Sequence, residues 1–206
     1  MTENKRIMRC DGHTVILLGP PHSGKSTIAA LLADRASFQV FDLGARLREI
    51  IANEPTHAEY ETIKRTVESG GLLSDALAER LFSEAAQPRS YENLVTDGFP
   101  RTQGAVDLFV AALTKMERSI GMASVVNLHV EEDSIEGLIK GRGRQDDLDD
   151  SIVARRISNF SKNIGPTLDR LNRVFPVLNL DFNCGAESNF ATLMGFLSER
   201  KVACAH

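Results

Sequence analysis

The apolar positions of the chain form short, nearly continuous runs that alternate with longer stretches of helical spacing. Short apolar runs of this kind are typical of parallel strands that are buried on both faces. The predicted strands are His13–Leu18, Phe38–Phe41, Leu94–Asp97, Ser124–Val130 and Phe175–Asp181. The predicted helices are Lys25–Ala36, Gly44–Asn53, Ser74–Ala86, Thr102–Gly121, Asp149–Arg173 and Glu187–Arg200.

This alternation predicts an α/β fold of three layers, in which a five-stranded parallel sheet carries helices on both faces. Ligands of such folds bind beyond the carboxyl ends of the strands. Two connections are long for simple crossovers: the helical segment Pro55–Gly70 and the charged segment Gly141–Asp150. We expect both to belong to small moving insertions within a single domain that spans residues 1–206.

Composition and charge exclude several classes of partner. The chain is 42% hydrophobic and carries a net charge of −4, so it has no overall positive field for nucleic acid or an anionic membrane. It contains no apolar run of about eighteen residues, and Met1–Asp11 lacks the apolar core of a signal peptide. Three widely separated cysteines argue against disulfides or a zinc site. We therefore expect a cytoplasmic monomer without a nucleic-acid or membrane partner.

A phosphate-binding motif follows the first predicted strand. Residues 19–27 read GPPHSGKST and fill the template G-x-x-x-x-G-K-S/T directly after the apolar run Val15–Leu18. The backbone N–H groups of such a turn point into one concavity, and the next helix brings its positive dipole end to the same place. Lys25 can bind the β- and γ-phosphates, and the Ser26 hydroxyl can bind Mg²⁺. The motif therefore predicts a P-loop NTPase fold that binds a nucleoside triphosphate.

A second informative segment, Asp97–Thr102, reads DGFPRT at the end of another predicted strand. Asp97 can orient Mg²⁺ through water, and Gly98 and Pro100 allow the backbone to approach a planar base. Arg101 can reach a phosphate. This string resembles the D-G-F/Y-P-R-T/N segment of the nucleoside monophosphate kinases, above all adenylate kinase in its short-lid form.

Three further segments resemble the same family in the same order. Gly44–Arg48 resembles its T-G-D-x-L-R segment, whose last arginine binds the monophosphate. Gly70–Asp75 resembles its G-x-L-V-x-D segment, whose backbone lines the acceptor ribose and base. Arg142–Asp147, with Arg155 downstream, is similar to the lid whose arginines surround the transferring phosphoryl group. The resemblance implies a nucleotide-monophosphate-binding insertion over residues 42–75 and a short lid over residues 141–150.

The resemblance also implies a role for each matching residue. The ATP site would comprise Pro21, His22, Ser23, Gly24, Lys25, Ser26, Thr27 and Arg142. The monophosphate site would comprise Gly44, Arg48, Gly71, Leu72, Leu73, Gly98, Phe99, Arg101 and Gln103. The catalytic cations would be Lys25, Arg101, Arg142, Arg144 and Arg155. Mg²⁺ would be held by Ser26, Thr27 and Asp97, partly through water.

The reaction that the resemblance implies is reversible transfer of the ATP γ-phosphoryl group to AMP or a related nucleoside monophosphate, giving two diphosphates. Mg²⁺ would be the only cofactor. Such a transfer needs positioning and charge neutralisation rather than a nucleophilic side chain.

Several positions depart from the family pattern. His22 and Ser26 stand where the family phosphate loop has glycines. Serine at that second position is the usual magnesium ligand of other P-loop proteins, whereas His22 has no assigned role.

The positions that recognise the nucleotide bases in the family depart further from its pattern. Leu43 and Ala45 replace the threonine and aspartate of the acceptor site, and Ala105 replaces the adenine-reading glutamine. Gln103, two residues earlier, is a possible substitute. Leu138 stands where the family stacks an arginine on the ATP adenine. The alternatives are a pyrimidine-nucleotide or other small-molecule P-loop kinase, and a nucleotide-binding sensor without turnover.

Overall fold

The computed structural model describes residues 12–86, 92–131 and 149–203, with side chains up to residue 200. Its five strands are β1 (Thr14–Leu18), β2 (Phe38–Asp42), β3 (Asn93–Asp97), β4 (Ala123–His129) and β5 (Val177–Asp181). The helices in these ranges are α1 (Lys25–Ala36), α2 (Leu43–Asn53), α3 (Tyr60–Glu68), α4 (Asp75–Ala85), α5 (Gln103–Lys115), α6 (Asp150–Asn172) and α7 (Ala186–Ala203). Short 3₁₀ turns lie at Ile120–Met122 and Phe182–Cys184.

The five strands form one parallel sheet in the order β2-β3-β1-β4-β5. The central strand β1 pairs with β3 on one side and β4 on the other, so that Ile16 is opposite Thr96 and also opposite Val125. The chain places β2 and β3 on one side of β1 and then β4 and β5 on the other. Such a reversal of strand order opens a crevice at the carboxyl end of the central strand. The predicted α/β fold with a five-stranded parallel sheet is confirmed.

Two apolar clusters cover the two faces of the sheet. The larger cluster, here called the acceptor-side core, packs helices α2, α4, α5 and α6 on one face and includes Phe82, Phe99 and Phe109. Their ring centroids are 5.2–5.7 Å apart. The smaller cluster packs α1 and α7 on the opposite face. In the described ranges, no helix combines the length and the apolarity needed to cross a bilayer.

N-capping side chains stabilise the first turns of the helices that begin at the carboxyl edge of the sheet. Asp42, the last residue of β2, accepts a hydrogen bond from the Ala45 N–H at 3.0 Å and caps α2. Thr102 accepts from the Ala105 N–H at 3.1 Å and caps α5. The Thr102 hydroxyl also donates to Asp75 Oδ1 at 2.6 Å, which ties the start of α5 to the start of α4. Helix starts are therefore held next to the crevice.

The five strands and six helices predicted are all present, and their ends agree within three residues except at α5. We predict a helix over Thr102–Gly121, but α5 ends at Lys115. Glu117 adopts a left-handed φ of 57°, and the Arg118 N–H bonds back to the Leu113 carbonyl at 2.9 Å. The helix ends there because the Arg118 side chain turns inward to the sheet.

Arg118 is a buried cation that links the segment before β4 to the starts of β1 and β3. Only 3% of it is exposed, and its guanidinium donates to Thr14 Oγ1 at 2.9 Å and to the His13 and Glu92 carbonyls at 3.0 and 2.8 Å. Burial lowers the pKa of Arg118 to about 10, and the Glu92 carboxylate opposes that shift.

We expect Arg118→Met to lower the free energy of unfolding by about 3 kcal/mol, because it leaves buried carbonyls without their donor. Urea denaturation measures this loss, with Arg173→Met, an exposed arginine at the end of α6, as the control. Equal stabilities of the two variants would contradict the structural role of Arg118.

Candidate active site

The glycine-rich turn after β1 is packed against the sheet so tightly that its first residue must be glycine. Gly19 has a φ of 143°, and a Cβ at this position would lie 2.6 Å from Ser23 Oγ and 2.7 Å from the Leu128 carbonyl oxygen. Both distances are far below van der Waals contact. The turn is therefore seated on β4, and α1 starts directly after it at Lys25.

Lys25 lies across this turn. Its Nζ donates to the carbonyls of Gly19 and Pro20 at 3.0 and 2.6 Å, and to Ser23 Oγ at 3.3 Å. The ammonium group is therefore held at the mouth of the loop and at the N-terminal end of α1. An anion at this point meets a positive charge, backbone N–H groups and a helix dipole together.

His22 adopts a left-handed φ of 68° and lines the cavity described below. This backbone conformation favours glycine, which is the residue at this position in the related pattern. A side chain in this conformation costs about 1 kcal/mol relative to glycine, although histidine tolerates it better than most residues.

A hydroxyl–carboxylate pair joins α1 to β3. Ser26 Oγ donates to Asp97 Oδ2 at 3.0 Å, and Asp97 is only 5% exposed. These are hard oxygen donors of the kind that Mg²⁺ prefers, and Mg²⁺ usually takes one or two protein ligands together with substrate phosphates. Within the described ranges no cluster of three or more histidine, cysteine, aspartate or glutamate residues occurs. The pair fits a nucleotide-bound Mg²⁺ rather than a metal caged by protein alone.

A single large cavity of about 660 Å³ extends from the glycine-rich turn across the carboxyl ends of the strands. Its walls come from the turn, the starts of α2, α4 and α5, the Gly70–Leu73 segment and the inner side of α6. A volume of this size is typical of sites for whole organic ligands.

Among the described residues, the guanidinium groups that line this cavity are those of Arg48, Arg101 and Arg156. The Arg101 side chain is exposed, and desolvation by the walls around it still lowers its pKa; the nearby carboxylates of Asp97 and Asp42 oppose that shift, and the positive charges of Arg156 and Arg48 add to it. All three cations therefore lie around one volume. Such a cluster favours a ligand with several negative charges.

Gly98 allows Arg101 to lie over the backbone. Its φ is 84°, and a Cβ here would lie 2.7 Å from Arg101 Nη2. The bend that follows, Phe99–Pro100, contains a cis peptide bond, and the Thr96 hydroxyl donates to the Phe99 carbonyl at 2.9 Å. The DGFPRT segment thus folds its arginine back toward the end of β3.

Most of the residues predicted for the site line this one cavity. The lining includes Pro21, His22, Gly24, Lys25, Ser26, Thr27, Gly44, Arg48, Gly71, Leu72, Leu73, Asp97, Gly98, Phe99 and Arg101. Ser23 is buried beneath the loop, where its hydroxyl accepts from Lys25. Gln103 is exposed at the start of α5 and outside the lining. Arg142 and Arg144, like Leu138, lie outside the described residues.

The structure places Arg156, and not Arg155, in the cavity wall. Arg155 is exposed, and its Nη1 donates to the Ser69 carbonyl at 3.3 Å. Arg156 shares a helix face with Asn159 and Phe160, which also line the cavity. Spacings of three and four residues put side chains on one face of a helix, and this spacing from Arg156 to Asn159 and Phe160 is the sequence signal that distinguishes it from Arg155.

The lining residues that were not predicted from the sequence as site residues include Asp42, Asp75, Thr167 and Phe182. Phe182 follows β5 directly and lies 3.9 Å from the Cβ position of Gly24, which places an aromatic ring beside the glycine-rich turn. Aspartates at strand or helix ends are common capping residues, so their pattern alone did not distinguish a site.

Comparison with known proteins agrees with this geometry. Residues 17–174 match the family model described as adenylate kinase. The chain is 31% identical to adenylate kinase of Mycobacterium sp. (strain MCS) and 32% identical to that of Mycolicibacterium smegmatis, covering 75% of this chain and 83% of each relative. It is 27% identical to adenylate kinase of Tropheryma whipplei (strain Twist), over 86% of this chain and 94% of the relative.

Proposed function

The chain belongs to the adenylate kinase family, and we propose that its cavity binds ATP at the glycine-rich turn and AMP at the Pro100 bend. The activity is that of a nucleoside monophosphate kinase: the γ-phosphoryl group of ATP passes to AMP, and two ADP molecules result. One observation supports the division of the cavity above all others, namely that the glycine-rich turn and three guanidinium groups line the same cavity.

The donor end of the cavity suits a triphosphate. Backbone N–H groups of the turn and the N-terminus of α1 would face the β- and γ-phosphates, and the Lys25 ammonium, which lies at this turn, would add a positive charge. Ser26, Thr27 and Asp97 lie where they would hold Mg²⁺ at the phosphates. When bound, Mg²⁺ neutralises and orients the phosphate oxygens.

The acceptor end suits a monophosphate. Arg48 projects from α2 and Arg101 from the bend after β3, and each presents a planar fork that matches phosphate oxygens. Leu72 and Leu73 and the glycines before them form the wall on which the ribose and base would rest. The acceptor phosphate would then lie between β3 and the glycine-rich turn.

Arg156 is our candidate for the helical arginine of the transfer step, in place of Arg155. It is half-buried in the cavity wall, and its charge repels that of Arg101. The transferring phosphoryl group is loosely bonded in the transition state and spreads its charge over three oxygens. Cations fixed around that point stabilise it and need no covalent chemistry of their own.

The segment 42–75 and the segment 141–150 are proposed as the acceptor-side insertion and the lid. Helices α2 and α3 and the Gly70–Leu73 wall belong to the first. The second lies outside the described residues, and Arg142 and Arg144 are proposed to reach the phosphoryl group from it. Closure of both would exclude water as a competing acceptor. A monomeric state and a cytoplasmic location remain predictions.

An acceptor panel tests the proposed function. With ATP and Mg²⁺, we expect AMP to support the highest kcat/KM for ADP formation, compared with GMP, CMP, UMP and dTMP, as measured by a coupled spectrophotometric assay. Highest activity with CMP or UMP would support a pyrimidine-nucleotide kinase instead. ATP binding without ADP formation from any acceptor would support a sensor without turnover.

A further inference from the structure

An aromatic ring stands at the side of the cavity opposite Arg48 and Arg101. The strand order β2-β3-β1-β4-β5 places the ends of β2 and β3 on one side of the glycine-rich turn and the ends of β4 and β5 on the other. Arg48, on the helix after β2, and Arg101, after β3, line the cavity on the first side. Phe182, the residue directly after β5, lines it on the second. The turn after β1 therefore lies between the arginines and the ring.

Phe182 packs beside the glycine-rich turn and is only half-buried. Two of its ring carbons, Cδ2 and Cε2, lie 3.9 Å from the point where a Cβ of Gly24 would stand. The side chain also packs against a small apolar cluster that contains Val130, directly after β4, and Val153 on α6. Because the ring keeps some exposed surface and lines the cavity, it offers apolar surface to a ligand there.

The position of this ring is fixed by hydrogen bonds around the 3₁₀ turn that it begins. The Asp181 carboxylate accepts from the Asn183 N–H at 2.8 Å, and the Gly185 N–H donates to the Phe182 carbonyl at 3.2 Å. From α7, the side chain of Asn189, which is buried, donates to the Asp181 carbonyl at 2.8 Å. A ring on a turn held in this way is preorganised, so little freedom is lost when a ligand packs on it.

The geometry of phosphoryl transfer directs the base of the donor toward this ring. The attacking and leaving oxygens lie roughly in line with the transferred phosphorus. The γ-phosphate of ATP would therefore point toward an acceptor phosphate at Arg48 and Arg101, and the rest of ATP would extend away from it. From the turn after β1, that direction leads across the end of β4 to Phe182.

We propose that Phe182 is a specificity-determining residue of the donor site, whose ring stacks on the base of the bound nucleoside triphosphate. This inference rests on the proposed function, because it takes the glycine-rich turn to hold the triphosphate. An aromatic ring binds a base through its face, whichever donors and acceptors the base carries along its edge. Phe182 therefore distinguishes a nucleoside triphosphate from a bare triphosphate, and not one base from another.

Replacing the ring tests this role with a matched pair of variants. Phe182→Leu removes the aromatic face and stays apolar, and Phe190→Leu makes the same change at a half-buried ring on α7 outside the cavity. Affinities for ATP and for inorganic tripolyphosphate, both with Mg²⁺, are measured by calorimetry. We expect Phe182→Leu to weaken ATP binding about tenfold and to change tripolyphosphate binding by less than about twofold. Phe182→Tyr, which keeps the aromatic face, and Phe190→Leu should bind ATP within about threefold of wild type.

A fluorescence measurement detects the stacking contact directly. The chain has no tryptophan, so Phe182→Trp carries its only indole, at the proposed base site. We expect ATP to quench the emission of this variant and saturating tripolyphosphate to leave it unchanged, because only ATP brings a base to the ring. Phe190→Trp is the control, and its emission should respond no more to ATP than to tripolyphosphate.

The two ligands separate stacking from a merely structural role. The ring also contacts the turn that we propose for the phosphates, so a structural role would weaken ATP and tripolyphosphate alike. Unchanged ATP affinity in Phe182→Leu, an equal loss for both ligands, unchanged emission of Phe182→Trp with ATP, or no ATP binding by wild type would overturn the proposal. Wild type that binds ATP but forms no ADP would contradict the proposed function alone, because calorimetry still tests Phe182.

Discussion

Replacing Lys25 by methionine should lower kcat for ADP formation by at least about 10³-fold. A cation held against the transferring phosphoryl group is worth roughly 10³ to 10⁵ in rate when it is removed from a phosphoryl-transfer enzyme. In the structure, the Lys25 ammonium lies at the mouth of the glycine-rich turn, within 3.3 Å of three acceptors of that loop. Methionine has a similar length but no charge, so it fills the space without stabilising phosphate.

Initial rates at saturating ATP and AMP measure this effect, and circular dichroism checks the fold. Lys115→Met is a matched control, because Lys115 is exposed at the end of α5 and outside the cavity. If Lys25→Met kept more than about a tenth of the wild-type rate while Lys115→Met was fully active, the assignment of the glycine-rich turn as the donor site would be wrong.

Replacing each of the two adjacent arginines of α6, Arg155 and Arg156, should change kcat by very different amounts. We expect Arg156→Ala to lower kcat by about 10³-fold and Arg155→Ala to change it by less than about threefold. Arg156 lines the cavity and repels Arg101, whereas Arg155 is exposed and donates one long hydrogen bond to the Ser69 carbonyl. A cation that only contacts an exposed backbone carbonyl contributes little to transition-state stabilisation.

Each variant is the control for the other, since both remove a guanidinium from the same turn of α6. Arg156→Lys adds a third measurement: it keeps the charge and loses the planar fork, so its rate should lie between those of wild type and Arg156→Ala. The reverse order, with Arg155→Ala inactive and Arg156→Ala active, would restore the assignment that the sequence pattern suggests.

The proposed acceptor site has a phosphate part that the motifs predict and a base part that departs from the family pattern. Arg48 and Arg101 line the cavity as the motifs suggest, and we propose that they bind the acceptor phosphate. The base part differs, because the positions at Leu43 and Ala105 are apolar and Gln103 is exposed outside the cavity.

The glycine-rich turn and the DGFPRT segment could be predicted because each is a local structure. Within a few residues, the sequence specifies a strand, a turn that only glycine permits and a helix start, as Gly19 and Gly98 illustrate with φ values of 143° and 84°. The alternation of apolar runs similarly predicted all five parallel strands, because burial on both faces leaves a distinct pattern. The proposed roles of Arg142 and Arg144 remain predictions, since both lie outside the described residues.

Other features depend on contacts between distant parts of the chain. The end of α5 is set by Arg118, whose partner Thr14 is 104 positions away. The choice between Arg155 and Arg156 depends on which face of α6 packs against the acceptor-side core.

The amino-acid sequence by itself determined the parallel α/β sheet, the family and the positions of the phosphate-binding groups, because turn geometry and burial periodicity act over short distances along the chain. Only the tertiary structure decided which arginine of α6 enters the cavity and that Gln103 stays outside it. These depend on the rotation of a helix against its neighbours, and that rotation is set by packing among residues far apart in sequence.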